Sequence, residues 1–279
     1  MTRATLSEVL LPALRGGYAV PGFVCLGWED ARAYALAAND LGAPVILQAG
    51  PGARAHMPIR VWGAILGCLA DSVTVPLVIH LDHGRSEDEC REAIEAGFTS
   101  VMFDGSALPL KDNIRQTSTV SAMARAAGVS CEGEIGIVGY AGSRASRTTD
   151  PDEAAAFAWE TGVDAMAVAV GNVHLRTRPV GDLDEAAIAA IAQATGNSVP
   201  LVIHGGSGVP EEQRVRLASE TSVCKFNIGT ELRQAFGAAL RAALADRPEE
   251  FDRLALLGAT EAPLRDRAVK IFRQLGTAE

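Results

Sequence analysis

The feature that most constrains this chain is an alternation of short apolar runs with amphipathic segments, repeated eight times along 279 residues. The runs read as strands at 18–24, 44–50, 76–82, 99–106, 129–136, 163–171, 199–206 and 222–229. Their continuous apolar character suits strands of a parallel sheet buried on both faces. Helical periodicity falls between them at 29–40, 57–71, 86–97, 111–127, 152–161, 183–195 and 210–219. One further helix is expected at 5–15, and two more at 230–245 and 262–275. Ser86 followed by Glu89 gives the helix at 86–97 a capping-box start.

Each unit spans about 25 to 35 residues, the length of a right-handed βα crossover. Eight such units close most simply into an α/β fold of the (β/α)8 TIM-barrel type, with the extra helices packed outside or across one end. A doubly wound open sheet shares the early alternation but does not require eight similar units. No Pro/Gly/Ser-rich linker sets the last helices apart, so residues 1–279 are expected to form a single barrel domain.

Composition narrows the function. With 48% hydrophobic and 21% charged residues the chain can bury a large core. The net charge of -9 supplies no global field toward nucleic acid or an anionic membrane. A small phosphate can still be held by backbone N–H groups at a helix terminus. The five cysteines are odd in number and lack a CxxC pair, which points to a reducing, cytoplasmic setting. No apolar run reaches the roughly 20 residues of a membrane span, and no secretory leader is expected.

The histidines carry the chemistry. His80 and His83 flank Asp82 in HLDHG, His174 ends GNVH after the sixth strand, and His204 ends the seventh. Barrel enzymes build their sites at the carboxyl ends of the strands, so imidazoles distant in sequence converge there. His83, His174 and His204 are the best candidate ligands of one divalent metal, with a coordination position left for water or substrate. Zn2+ suits such donors best, although Co2+, Mn2+ and Fe2+ also accept them. His80 fits packing or support of the ligands instead. Asp82 is the candidate catalytic acid/base, and a regular strand would turn it to the side opposite His83. Asp104, Glu132 and Glu134 fit a second cation, a fixed histidine tautomer or a salt bridge.

Two glycine-rich turns follow the last two strands: HGGSGVP at 204–210, with Gly205, Gly206, Ser207 and Gly208, and KFNIGTE at 225–231, with Gly229 and Thr230. Adjacent turns of this kind form the phosphate site of many barrels. The chain lacks GxxxxGK[ST], a strand-GxGxxG-helix unit and GxSxG, which removes P-loop kinase, dinucleotide-dehydrogenase and α/β-hydrolase readings.

These segments, together with GGYAVPGF at 16–23, SVMFDGS at 100–106, EGEIG at 132–136 and KFNIGTEL at 225–232, resemble the class II metal-dependent ketose-bisphosphate aldolases over nearly the whole chain. The resemblance is to the branch with tagatose-bisphosphate, fructose-bisphosphate and deoxyketogluconate-phosphate aldolases. It implies a metal on His83, His174 and His204, proton exchange by Asp82, and binding of a triose phosphate by Gly205, Ser207, Asn227 and Thr230. It also implies a secondary monovalent or divalent cation near Asp104 and Glu134, a phosphorylated small-molecule substrate, and a homodimer or homotetramer.

Three departures accompany the resemblance. Leu175 stands where a glycine usually follows the second metal histidine, and Val24 where the first strand often continues with asparagine. The loop IVGYAGSRASRTT at 137–149 has no acidic residue where the family usually carries a base. In that loop, Arg144 and Arg147 either face an anionic substrate or project into solvent, beside Tyr140 and Ser143; Asp150 or Asp152 is an alternative source of the base. Two further functional readings therefore stand beside the aldolase. One is a divergent metal-dependent lyase for another 2-oxo or hydroxyketone substrate, and the other a catalytically weak sugar-phosphate binding protein.

Overall fold

A computed structural model of the protein describes residues 2–141, 146–178 and 181–278. Eight strands form the barrel: β1 (Val20–Val24), β2 (Val45–Ala49), β3 (Leu77–Gly84), β4 (Ser100–Phe103), β5 (Ser130–Ile135), β6 (Ala165–Val168), β7 (Leu201–Ile203) and β8 (Val223–Ile228). Each pairs in parallel with its neighbours in chain order, and β8 pairs with β1 to close the sheet. Seven lie within the stretches expected from the sequence, and β3 runs two residues past its expected end at 82, to Gly84.

The differences from expectation are local. The helix expected at 57–71 is Ile59–Ser72, with Pro58 at its N-cap, and an unexpected short helix, Pro51–His56, precedes it. Proline has no N–H to continue the first helix but tolerates the start of the next. A short helix, Arg253–Gly258, lies between the last two expected ones and is capped by the Asp252 side chain. Beyond the barrel mouth, Gly139–Tyr140 and Val173–His174 form a two-stranded parallel ladder. Among the described residues, no helix is long and apolar enough to cross a membrane.

The barrel interior has two halves. At the floor, Val20, Ile46, Val78, Ala165, Val202 and Cys224 meet Leu6, Val9, Leu10 and Ala13 of the helix Leu6–Gly16, which plugs the amino-terminal end. A capping box of Thr5 and Glu8 starts this helix. Ser7 then ties it to the barrel: its N–H donates to Ser130 Oγ at 3.1 Å and its hydroxyl to Asp164 Oδ1 at 2.6 Å. Because inward positions recur every second residue, the same strands turn polar higher up. Ile46 gives way to Gln48, and Val78 to His80, while Leu47, Ile79 and Leu81 pack outward against the helices.

A buried ion pair anchors this upper half. Lys225 Nζ lies 2.6 Å from Glu132 Oε2, and both side chains are fully buried. The register of β7 with β8 shifts after Leu201, so Val202 faces Lys225 rather than Cys224. Such a bulge re-aims side chains, and here Cys224 packs into the floor while Lys225 reaches the polar layer. Lys225 also donates to His80 Nε2 at 3.3 Å, and His80 Nδ1 pairs with Ser100 Oγ at 2.8 Å. Burial and the Lys225 charge push His80 down to about 3, so it is neutral and free to accept. Burial disfavours the Glu132 carboxylate, but Lys225 and His204 outweigh it and hold the group well below the usual carboxylate range.

Two stability predictions follow from these halves. Leu10→Ala should cost about 2–5 kcal/mol in urea unfolding, whereas Leu11→Ala, on the solvent side of the same helix, should cost under about 1 kcal/mol. Lys225→Met should cost about 3–5 kcal/mol because it strands the Glu132 charge, and adding Glu132→Leu should recover part of that loss.

Candidate active site

Strand β3 delivers two side chains to the barrel mouth by losing its regularity. Its pairing with β4 shifts register between Leu81 and Gly84, and His83 has φ 53. In a regular strand Asp82 and His83 would point to opposite faces, as the sequence led us to expect. The left-handed residue instead turns both into one cleft. His83 Nδ1 lies 2.7 Å from Asp104 Oδ2, and Asp104 Oδ1 accepts from the Ser106 hydroxyl at 2.7 Å. An imidazole that donates to Asp104 keeps Nε2 for another partner.

His174 belongs to the outer ladder, where the Ala141 N–H donates to its carbonyl at 3.0 Å. The Tyr140 ring stacks on it, with centroids 4.8 Å apart and an interplanar angle of 27°. His204 follows β7 and is completely buried. Asn172 Nδ2 donates to the His204 carbonyl at 3.0 Å, tying the loop after β6 to the end of β7. Gly205 then turns the chain at φ 66, where a Cβ would meet the Val173 carbonyl at 2.4 Å; only glycine fits this approach.

The three rings have centroids 4.6 to 5.5 Å apart, and a donor nitrogen from each lies within 4.8 Å of the others. His204 Nε2 donates to Glu132 Oε1 at 3.1 Å, which leaves Nδ1 facing the cluster without a hydrogen bond. Glu134 Oε2, 3.3 Å from that nitrogen, is likewise buried without one. Orphaned buried donors and acceptors call for a partner, and three imidazoles backed by carboxylates fit a divalent metal. His83, Asp104 and Glu134 form a second group with the same spacing.

The charges are uneven. Burial raises the Asp82 carboxyl, yet His83 and His204 outweigh it and hold the group below its ordinary value. Burial and the neighbouring imidazoles push His174 down to about 3. His204, despite burial, is pushed up to about 10 by Glu132 and Glu134. The Tyr140 phenol is raised by burial and by the Asp104 and Asp82 charges, so it is protonated at neutral pH.

These groups open into a cleft of about 260 Å³. Asn227 Nδ2 donates to Asp82 Oδ1 at 3.1 Å across the barrel. On the far wall Gly205, Ser207, Gly229 and Thr230 line the cleft beside the start of the helix Thr230–Asp246. Ser207 Oγ accepts from the N–H groups of Gly229 and Glu231, both at 3.3 Å, which joins the two glycine-rich turns.

Several expectations are corrected. Gly206 packs beneath the cleft, where a Cβ would meet Ile228, the Asn227 carbonyl and Phe226. Arg147 bridges to Ile137 through its backbone and directs its guanidinium to Glu153, in the first turn of the next helix, at 3.3 Å, and it does not line the cleft. Asp150 caps the helix Pro151–Thr161, its carboxylate accepting from the Asp152 and Glu153 N–H groups, and the exposed Asp152 does not line the cleft. Ser143 and Arg144 lie outside the described residues.

Other residues were overlooked. Gln48 lines the cleft fully buried, with neither amide atom hydrogen bonded. A lone amide in the run PVILQAG was its signal. Arg85 and Arg233 also line the cleft, and Lys225 supports it from below.

The class-II fructose-bisphosphate aldolase family model matches residues 4–279. A fructose-bisphosphate aldolase of Geobacillus stearothermophilus is 37% identical over 100% of this chain and 98% of its own length. A 6-phospho-5-dehydro-2-deoxy-D-gluconate aldolase of Shouchella clausii is 38% identical, covering 98% of this chain and 94% of its own. Among solved structures, the YdjI aldolase of Escherichia coli K12 aligns with a TM-score of 0.86 and 29% identity, over 99% of this chain and 98% of that one. The barrel, the histidine cluster at its mouth and the full-length match agree: the chain belongs to the class-II fructose-bisphosphate aldolase family and is an aldolase.

Proposed function

We propose that the protein is a zinc-dependent aldolase that reversibly cleaves a phosphorylated ketose into dihydroxyacetone phosphate and an aldehyde. The observation that carries this reading is the placement of Asp82, held by Asn227, in the same cleft as three converging imidazoles. The zinc ion, held by His83, His174 and His204, would supply Lewis-acid polarisation of the substrate carbonyl. Asp82 takes the proton from the C4 hydroxyl as the C3–C4 bond breaks, the electron pair of that bond passes to the triose fragment at C3, and a proton taken up there completes dihydroxyacetone phosphate; in condensation C3 gives up its proton and Asp82 returns one to the aldehyde oxygen. Asn227 orients that carboxylate. Ser207 and Thr230, with the N–H groups around Gly229, bind the phosphate; Arg233, one turn into the same helix, adds positive charge beside it, and Arg85, after β3, offers a second positive group for another anion. Asp104 fixes the orientation of His83, and Glu134 completes the cluster or holds a further cation. The exposed apolar side chains of Trp159, Phe251 and Leu254 support a homodimer or homotetramer, and the free cysteines a cytoplasmic location.

A second reading, a lyase for a different hydroxyketone, is favoured by the wall of the cleft near His174. Leu175 there has φ 60 and is half exposed, and Val24 presents methyl groups where the resemblance led us to expect asparagine.

Retro-aldol assays on ketose mono- and bisphosphates separate the readings. Chelation should abolish triose-phosphate release, and zinc should restore it. Asp82→Asn should lower kcat by about 10²-fold or more while the zinc content is retained, whereas His204→Ala should lose the metal. Zinc-loaded protein that cleaves none of the phosphorylated ketoses would overturn the leading reading, and cleavage of unphosphorylated hydroxyketones alone would establish the second.

A further inference from the structure

Arg54 stands outside the cleft lining, in the helix Pro51–His56, with its side chain 5% exposed. Its guanidinium nevertheless addresses the backbone beneath the site. Nη1 donates to the carbonyls of Ala49 at 2.5 Å and Asp82 at 2.6 Å, Nη2 donates to the His83 carbonyl at 2.9 Å, and Nε pairs with Glu89 at 2.9 Å. These three carbonyls end β2 and β3. They lie where the β3–β4 ladder loses its register, and where His83 adopts a left-handed backbone that is unfavourable for a residue with a Cβ. The turn also gives up a regular ladder bond at the His83 N–H, which faces Met102 Sδ at 3.4 Å.

We infer that Arg54 is a positioning residue of the metal centre: its planar fork pins the Asp82 and His83 carbonyls together and so holds both side chains toward the barrel mouth. The inference rests on the metal-site reading given above. A guanidinium is suited to the task because it presents five donors in fixed directions, whereas a lysine ammonium is one compact charge that cannot meet three carbonyls and Glu89 with the same geometry. Glu89 in turn aims the fork, and its other oxygen accepts from the Arg85 N–H at 2.7 Å.

The test compares Arg54→Lys, Glu89→Gln and the wild type as full-length proteins. Zinc affinity is measured by competition with a chromogenic chelator, and hydrogen exchange of the segment 82–85 is measured in the metal-free chain. Arg54→Lys should melt cooperatively yet bind zinc about 10- to 100-fold more weakly, with faster exchange in that segment. Glu89→Gln, which keeps the three carbonyl bonds, should bind zinc nearly as tightly as the wild type. The inference is overturned if Arg54→Lys leaves affinity and exchange unchanged, if Glu89→Gln weakens zinc equally, or if Arg54→Lys no longer melts cooperatively, since its role is then general folding. A wild-type chain that takes up no zinc counts against the metal-site reading, and the metal-free exchange pattern then decides on Arg54.

Discussion

A lysine ammonium enclosed by a barrel is tolerable only beside a carboxylate, and the contact of Lys225 with Glu132 is the interaction on which the upper half of this interior depends. The pair sets the roles of its neighbours. With Lys225 donating to it, His80 is neutral and acts as an acceptor; with Glu132 accepting from Nε2, His204 turns its other nitrogen to the mouth. A hydrophobic pair of equal volume could fill the same space, but it would not orient the His80 and His204 rings that contact this one. The polar layer therefore exchanges some stability for orientation, and the apolar floor and outer helices supply the stability.

The fold was legible because each strand is an apolar run long enough to be unambiguous and each helix is amphipathic. The histidine cluster was legible once a barrel was inferred, since that topology brings the ends of β3, β6 and β7 to one rim. What escaped depends on backbone conformation that residue type does not encode. Left-handed φ is usually announced by glycine, so nothing in HLDHG shows that His83 adopts it and brings Asp82 to its own side. Lys225 was hidden by a bulge, because simple alternation does not place two successive residues of one strand inside a barrel. Arg147 could not be assigned from sequence, as a guanidinium takes whichever carboxylate the fold presents, and Glu153 is close by.

Of the three described left-handed residues that carry side chains, two, His83 and Leu175, line the cleft. Such residues cost on the order of 1–2 kcal/mol each and persist when their surroundings over-determine them. Around Leu175 the constraint is the ladder of Gly139–Tyr140 with Val173–His174 and the ring stacked on His174. Gly139–Tyr140, at the start of the stretch without acidic residues, thus braces the loop that carries His174.

The plugged floor has a consequence for the movement of hydrogen. Among the described residues, Leu6, Leu10 and Ala13 fill that end of the barrel, so the buried charges open to solvent at the mouth. A ligand bound there stands on the same passage. A hydrogen drawn from the substrate therefore shares its way to water with the substrate's own way out.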